Sequence, residues 1–195
     1  MSVHHPIIAV TGSSGAGTTT AGKAMQRIFA RLGLEPAVVA GDSFHRYTRR
    51  QMAALAAEGK YGEKNHFSLQ ANHMDRLEAL FQEYGQQGTG QYRHYVHDDD
   101  KELIAKGLEP GTFSPWEDLP AGTDLLFYEG LHAGVVAEGI DLRRHVDLLI
   151  GVVPIVNLEW IQKIHRDTHV RGYSQEAVVH TILGRMEDYV RYIVP

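Results

Sequence analysis

The amino-acid sequence predicts an α/β fold in which helices flank a mostly parallel central sheet. Three observations support this prediction: four apolar runs with the length of buried strands, helix-like segments between them, and turn residues at the junctions. A strand, a helix and a second strand in close succession form a βαβ unit with a right-handed crossover. The 195 residues, 43% of them hydrophobic, suffice for one domain with a substantial core.

The first junction is a glycine-rich loop between the apolar run Ile7–Val10 and a predicted helix over about Ala21–Leu32. The loop consists of Gly12, Ser13, Ser14, Gly15, Ala16, Gly17, Thr18, Thr19 and Thr20. Its spacing fits the phosphate-binding loop G-x-x-x-x-G-K-[ST], except that Thr18 replaces the lysine. Backbone N–H groups and a helix N-terminus favour a phosphate there, and Thr19 keeps the hydroxyl expected to contact Mg²⁺. The alternative is an ordinary Gly/Ser-rich strand-to-helix turn.

The second predicted strand, Pro36–Ala40, leads directly to a group of polar residues. Because ligands of parallel sheets bind at the carboxyl ends of the strands, Asp42, His45 and Arg49 are expected beside the glycine-rich loop. Asp42 is either a helix N-cap or a general base that takes a proton from an acceptor hydroxyl. Arg46 and Arg49 have helical spacing, and their shared face either binds an anionic acceptor or faces solvent.

Residues around 51–122 are interpreted as a helical and loop insertion that covers the site of a single domain spanning 1–195. The predicted elements are helices over Met52–Glu58 and Asp75–Tyr84 and strand-like runs over Gln91–His97 and Thr112–Trp116. The acidic run Asp98–Asp100 fits a solvated turn better than a metal site, because no ordered ligands accompany it in the sequence.

The third core strand, predicted over Asp124–His132, is apolar and has an acid, Glu129, toward its carboxyl end. Phosphoryl-transfer enzymes with such a loop hold Mg²⁺, directly or through water, with an acidic group at this place. A buried carboxylate at a strand end has few structural explanations, so Glu129 is expected to be functional.

The fourth core strand, Val146–Pro154, precedes a predicted helix over Ile155–Asp167, and a last helix is predicted over Gln175–Tyr192. Three polar residues of the first of these helices, Lys163, Arg166 and Asp167, share one face. With the loop at Arg171–Gly172 they fit a phosphate-clamping lid, in which Lys163 supplies the cation missing at Thr18. The alternative is a surface ion pair between Glu159 and Lys163.

Composition narrows the possible functions. The net charge of −5 argues against a general nucleic-acid or membrane surface, and the chain has no cysteine for disulfides or cysteine-based sites. The N-terminal residues lack the pattern of a signal peptide, and no apolar run is long enough to span a membrane. The 12 histidines offer pairs at metal-ligand spacing without an evident third ligand, so a zinc site is not predicted.

These motifs resemble those of the phosphoribulokinases of the bacterial type, within the wider uridine-kinase-like P-loop kinases. The resemblance is carried by Thr11–Thr20, Gly41–Arg49, Tyr128–His132, Gly151–Asp167 and Arg171–Gly172. It covers essentially all 195 residues and is greatest to the subgroup in bacteria that need not fix carbon dioxide. Bacterial members also carry threonine at the place of Thr18. Family chains continue beyond the segment that ends at Pro195, so a further C-terminal part is expected to complete the sheet.

The resemblance implies a cytoplasmic kinase that uses ATP and Mg²⁺ to phosphorylate D-ribulose 5-phosphate. By motif position, Asp42 resembles the catalytic base and Glu129 the strand acid linked to Mg²⁺, which Thr19 also contacts. The residues that resemble sugar-phosphate contacts are His45, Arg49, Tyr95 and His97. The residues that resemble the lid and catalytic group are Lys163, Arg166, Asp167 and Arg171. Some members carry a basic residue where this chain has Ala53, which affects the expected binding of the acceptor phosphate.

Three functions remain open from the sequence. The first is a ribulose 5-phosphate kinase, and the second is a kinase for another sugar phosphate or a nucleoside. The third is a non-catalytic nucleotide-binding regulator. His45 and Arg49 favour an anionic acceptor over a neutral nucleoside. Bacterial relatives form large homo-oligomers, so a homo-oligomer is compatible with the resemblance.

Overall fold

The computed structural model describes residues 5–58, 65–137 and 139–192, and it confirms the α/β fold with a parallel central sheet. The sheet contains β1 (Ile7–Thr11), β2 (Pro36–Ala40), β5 (Leu125–Glu129) and β8 (Leu148–Gly151). These four strands are all parallel and lie in the order β2-β5-β1-β8. Strand β2 has the predicted bounds, whereas β8 is shorter than predicted.

The described residues form seven α-helices. They are α1 (Thr18–Leu32), α2 (Arg49–Ala57), α3 (Met74–Gln87), α4 (Lys101–Ala105), α5 (Val156–His169), α6 (Gln175–Gly184) and α7 (Met186–Tyr192). Helix α1 begins earlier than predicted because Gly17, with a φ of 104°, caps it directly after the glycine-rich loop. In the described parts of the chain, the helices are too short or too polar to cross a membrane.

Side chains that alternate between the two faces of the sheet form two buried apolar layers. On one face Val10 and Phe127 pack with Phe29 of α1. On the other face Ile7 and Tyr128 belong to a larger cluster that α3 completes; its α3 members are Met74, Leu77, Leu80, Phe81 and Tyr84. Helix α3 lies within the range interpreted as an insertion, and it forms one of the layers of the core. The bounds of that insertion stay a prediction.

The strand-like run predicted over Gln91–His97 forms only a short ladder. Strand β3 (Gln91–Tyr92) pairs antiparallel with β4 (Glu117–Asp118), and farther along Tyr95 makes a single bridge to Phe113. Between them His94 N donates to the Ser114 side-chain oxygen, and the next residue, Pro115, has no N–H to offer. A proline in the partner segment therefore breaks the predicted pairing into pieces.

The prediction of one continuous last helix is wrong. Helix α6 ends at Gly184, and Arg185 leaves helical geometry at φ −108°, ψ 10° before α7 begins. Glycine is a weak helix former, which explains why the break falls here. A separate antiparallel hairpin joins β6 (Val136–Ala137) to β7 (Ile140–Asp141).

The strand register places the chemistry-bearing residues on one edge of the sheet. Glu129 is opposite Val10 in β1 and Ala40 in β2, and Thr11 is opposite Gly151 in β8. The glycine-rich loop, the turn that contains Asp42 and the end of β5 therefore leave the sheet side by side.

Candidate active site

The glycine-rich loop after β1 has a backbone that only small residues allow. Gly15 and Gly17 both have a φ of 104°, in the left-handed region that favours glycine. A Cβ on Gly12 would lie 2.7 Å from the carbonyl oxygen of Val152, because the loop passes directly over the end of β8. The loop ends on the first turn of α1, whose free N–H groups form an anion-binding surface.

Helix α5 lies directly against this loop. A Cβ on Gly15 would lie 2.9 Å from the Glu159 carbonyl oxygen and 3.0 Å from Lys163 Cβ. Arg166 Nη2 also donates to Ser14 Oγ at 3.3 Å. The side-chain stem of Lys163 therefore packs beside a loop that has Thr18 in place of its usual lysine.

The carboxylate of Asp167 forms ion pairs with three cations of this region. Its oxygens accept from Lys163 Nζ at 2.9 Å, Arg166 Nε at 2.8 Å and Arg171 Nη1 at 3.3 Å, and its side chain is only 7% exposed. Burial raises the carboxyl pKa, but the hydrogen bonds from Arg166 and Lys163 outweigh it, so the pKa of Asp167 lies below its usual value. The alternative ion pair between Glu159 and Lys163 is not formed; Glu159 accepts instead from Tyr189.

Asp42 lies in a 3₁₀ turn (Gly41–Phe44) after β2, with a histidine at each carboxylate oxygen. His45 Nε2 is 3.3 Å from one oxygen and His97 Nε2 is 3.4 Å from the other. Enclosure opposes ionisation, but the two imidazole contacts outweigh it, so the carboxyl pKa of Asp42 is well below its usual value. The same contact raises the pKa of His97. Ala40, not Asp42, occupies the cap position of the turn, so the N-cap interpretation of Asp42 is wrong.

The two arginines that follow have separate environments. Arg46 precedes α2 and donates to the Asn72 carbonyl at 2.8 Å, so its interpretation as a neighbour of Arg49 on one helix face is wrong. Arg49 begins α2 and pairs with Asp98 at 2.8 Å, and this contact raises the pKa of its guanidinium. Asp98 lies in the predicted turn, and its partner is an arginine.

Thr19 and Glu129 come together as the sequence predicts. Thr19 Oγ1 donates to Glu129 Oε1 at 3.0 Å, and Glu129 is half-buried, not buried. A hydroxyl and a carboxylate are hard oxygen ligands of the kind Mg²⁺ prefers, and Mg²⁺ in kinases takes its other ligands from water and phosphates. These two residues therefore fit an Mg²⁺ site. Among the described residues there is no cluster of three or more His, Asp or Glu side chains that could hold a metal.

A cleft of about 630 Å³ connects most of these groups. The predicted site residues on its wall are Gly12, Ser13, Ser14, Gly15, Thr18, Thr19, Asp42, His45, Arg49, Tyr95, His97, Glu129, Arg166 and Arg171. Ala16, Gly17 and Thr20 belong to the same loop but not to this wall. Lys163 and Asp167 lie behind the wall, where Asp167 holds the two arginines that reach the cleft.

The cleft residues that were not predicted as site residues include His66, Phe67, His132 and Arg185. The His66 ring packs against the His45 ring at an angle of 43°, with 4.2 Å between centroids, and burial lowers the pKa of His66 to about 3. His132 is in the motif after β5 and could have been found there. His66 and Arg185 lie in a loop and at a helix break, where the sequence pattern gave no signal.

Comparisons with known proteins identify similar sequences. A family model described as the phosphoribulokinase/uridine kinase family matches residues 7–195. The chain is 54% identical over 198 residues to the chromosomal phosphoribulokinase of Cupriavidus necator, covering 100% of this chain and 68% of the relative. It is 54% identical over 197 residues to the phosphoribulokinase of Sinorhizobium medicae, with the same coverage.

A solved structure adds a comparison of the folds. The phosphoribulokinase from Rhodobacter spheroides superposes with a TM-score of 0.77 at 46% identity, covering 98% of this chain and 66% of that one. The chain therefore spans about two thirds of the length of the relatives that it matches.

Proposed function

The chain belongs to the phosphoribulokinase/uridine kinase family, and we propose that it transfers the γ-phosphoryl group of ATP to ribulose 5-phosphate. The bond between the γ-phosphorus and the β,γ-bridging oxygen breaks, and a bond from the sugar hydroxyl oxygen to that phosphorus forms. The products are ADP and ribulose 1,5-bisphosphate, and the hydroxyl proton goes to the enzyme.

The observation that carries this proposal is the position of Asp42. Its carboxylate lies between His45 and His97, which keep it ionised, on the wall of the cleft that the glycine-rich loop also lines. An ionised carboxylate at that place is able to accept the proton of a hydroxyl held next to it. We assign Asp42 as the general base.

The glycine-rich loop binds the ATP phosphates through its N–H groups and the N-terminus of α1. Thr19 and Glu129 hold Mg²⁺, which neutralises charge on the phosphates when it is bound. The side chains that hold the acceptor are His45, Arg49, Tyr95 and His97. Arg49 pairs with Asp98 through an exposed contact, so its guanidinium is able to exchange that partner for a phosphate.

The cations around Asp167 stabilise the transferred group. Arg166 and Arg171 reach the cleft, and they lower the barrier by placing fixed positive charge where negative charge spreads. Lys163, beside Gly15, acts from the other side of the loop in place of the usual loop lysine. Asp167 holds the three cations in position. The cytoplasmic location and a homo-oligomeric state remain predictions.

The test is ADP release with Mg-ATP over a panel of acceptors: ribulose 5-phosphate, other pentose phosphates, uridine and no acceptor. Asp42→Asn should lower kcat by at least about 10²-fold while its circular dichroism and ATP affinity stay unchanged. The matched control is Asp118→Asn, which changes an exposed carboxylate of β4.

Each outcome of this panel decides between functions. Turnover restricted to ribulose 5-phosphate and lost in Asp42→Asn supports the proposal. Turnover of another pentose phosphate or of uridine would mean that the acceptor is not ribulose 5-phosphate. Ala53 would then be the first position to examine. ATP binding without any turnover would instead mean a non-catalytic nucleotide-binding protein.

A further inference from the structure

Arg93, which directly follows β3, holds the turn that contains Asp42 from behind. Its Nε donates to the Ser43 carbonyl at 2.9 Å, and its Nη2 donates to the His45 carbonyl at 2.5 Å. These two carbonyls lie on either side of Phe44, one and three residues after Asp42. One planar guanidinium therefore fixes two backbone points beside the proposed base, and His45 itself is a partner of that base.

Two aromatic rings hold the guanidinium in this orientation. Its central carbon lies 3.7 Å from the centre of the Phe113 ring and 4.7 Å from that of Trp116. Trp116 also packs against the ring of Phe44, with 5.7 Å between centroids, so it contacts both the turn and the arginine. Burial, and then the charge of Arg76, lower the pKa of Arg93 to about 10, which still leaves it protonated at neutral pH.

The turn does not depend on Arg93 to exist. His73 N donates to the Phe44 carbonyl at 2.7 Å, and Arg46 N donates to the Ala71 carbonyl at 2.8 Å. The side chain of Phe44 is 1% exposed and belongs to the main core. These contacts keep the segment in place when the guanidinium is removed. The Ser43 and His45 carbonyls then lose the donor that Arg93 supplies.

We propose that Arg93 is a positioning residue that fixes the Ser43–His45 backbone and thereby sets the position of Asp42 and His45 relative to His97. The two carbonyl acceptors match the fork of an arginine and not the single ammonium of a lysine. The expected effect of Arg93 on turnover rests on the proposed function. Its expected effect on the position of Asp42 does not depend on any activity.

The kinetic test compares Arg93→Met and Arg93→Lys with the control Arg76→Met. Arg76 lies 4.5 Å over the same Trp116 ring but is exposed and outside the cleft, so its loss removes a stacked cation without touching the turn. Arg93→Met should lower kcat roughly 10- to 100-fold, the effect of a displacement of about 1 Å in a catalytic group. Arg93→Lys should fall between Arg93→Met and wild type, and Arg76→Met should retain the wild-type kcat. The KM for ATP should change less than about twofold in all three, because the glycine-rich loop is elsewhere.

A second measurement needs no turnover: the imidazole pKa of His97, followed by NMR in histidine-labelled protein without ligands. Asp42 raises this pKa against the effect of burial. The other charged groups near His97 are Asp98, Asp100 and Arg171, and the Tyr95 ring packs alongside. Arg93→Met should lower the His97 pKa toward the ordinary value, because Asp42 moves away, and Arg76→Met should leave it unchanged.

Both readouts bear on the proposal. A His97 pKa that matches wild type in Arg93→Met, with kcat reduced no more than in Arg76→Met, would overturn it and leave Arg93 as a packing residue. If wild type turns over no acceptor at all, the proposed function fails, and the shift or constancy of the His97 pKa still decides whether Arg93 positions Asp42.

Discussion

Replacing the buried carboxylate of Asp167 by an amide, Asp167→Asn, should destabilise the protein markedly. Asp167 is the shared acceptor of Lys163, Arg166 and Arg171, and its side chain is 7% exposed. The amide keeps the shape but loses the charge, so three cations remain beside α5 without their counterion. Burial already lowers the pKa of Lys163 despite this carboxylate, so Lys163 tolerates the loss poorly.

The exposure of the partners sets the magnitude. Removing one member of a fully buried ion pair costs roughly 3–5 kcal/mol. Here the side chains of Lys163, Arg166 and Arg171 are 20%, 33% and 38% exposed, so water recovers part of that cost. We expect a loss of about 2–3 kcal/mol in the free energy of unfolding, with screening by solvent taken into account. For a chain of this size, that loss lowers Tm by about 4–12 °C.

Urea unfolding at neutral pH, followed by tryptophan fluorescence, measures this loss directly because Trp160 lies on α5 beside the network. Asp98→Asn is the matched control, since it removes the carboxylate from an ion pair with Arg49 whose side chains are 56% and 48% exposed. An exposed pair is worth at most about 1 kcal/mol, so the control should remain close to wild type.

The pH dependence of the stability difference between wild type and Asp167→Asn tests whether the Asp167 carboxylate is responsible for it. The pKa of Asp167 is lowered on folding, so its contribution is present above its ordinary value of 3.8 and is lost as the pH falls below that value. The difference between wild type and Asp167→Asn should therefore be constant from about pH 5 to pH 8. A variant as stable as Asp98→Asn, or a difference that grows on acidification, would show that the network does not stabilise the fold.

Three further predictions follow from other contacts. Glu129→Gln and Thr19→Val should each raise the Mg²⁺ concentration for half-maximal activity by about tenfold, measured by titration at saturating ATP; an unchanged midpoint would remove these residues from the metal site. Tyr128→Phe should raise the free energy of unfolding by about 1 kcal/mol, because the hydroxyl is buried without a hydrogen-bond partner; a loss of stability would reveal one. His97→Gln should destabilise the protein most at low pH, because Asp42 raises the pKa of His97 in the folded state. The contribution of His97 to stability is therefore present below the ordinary value of 6.5 and disappears as the pH rises through the folded-state pKa. A wild-type-minus-variant difference that does not fall between about pH 6 and pH 8 would contradict this sign.

The sequence predicted those parts of the site that depend on local chain geometry. A glycine-rich turn after a strand, and a carboxylate at the end of another, are fixed once the strands are parallel and in register. Thr19 and Glu129 therefore meet as predicted, although they are far apart in the chain. Helix α1 ends at Leu32 as predicted, before the left-handed Gly33 that caps it, although it begins earlier than predicted.

The parts that could not be predicted depend on which side chains meet across elements. Nothing in the local pattern shows that Arg93 reaches the carbonyls of Ser43 and His45, because that contact forms only when two segments pack. The predicted strand beyond Tyr92 failed for a similar reason, since the interruption comes from Pro115 in the partner segment. Periodicity describes one element, whereas these features belong to pairs of elements.

The site uses buried and exposed ion pairs for different purposes. Asp167 is buried, so the cations around it keep a fixed arrangement before any ligand arrives, which suits groups that must stabilise charge without reorganising. Arg49 is held by an exposed aspartate, and such a contact is weak enough for a phosphate to displace it. Rigid cations beside the glycine-rich loop and an exchangeable arginine farther along the cleft therefore fit the proposed function, in which both substrates carry phosphate groups. In the proposed reaction, Asp42 on the same cleft wall accepts the proton of the acceptor hydroxyl, while these charges hold the reactants in place.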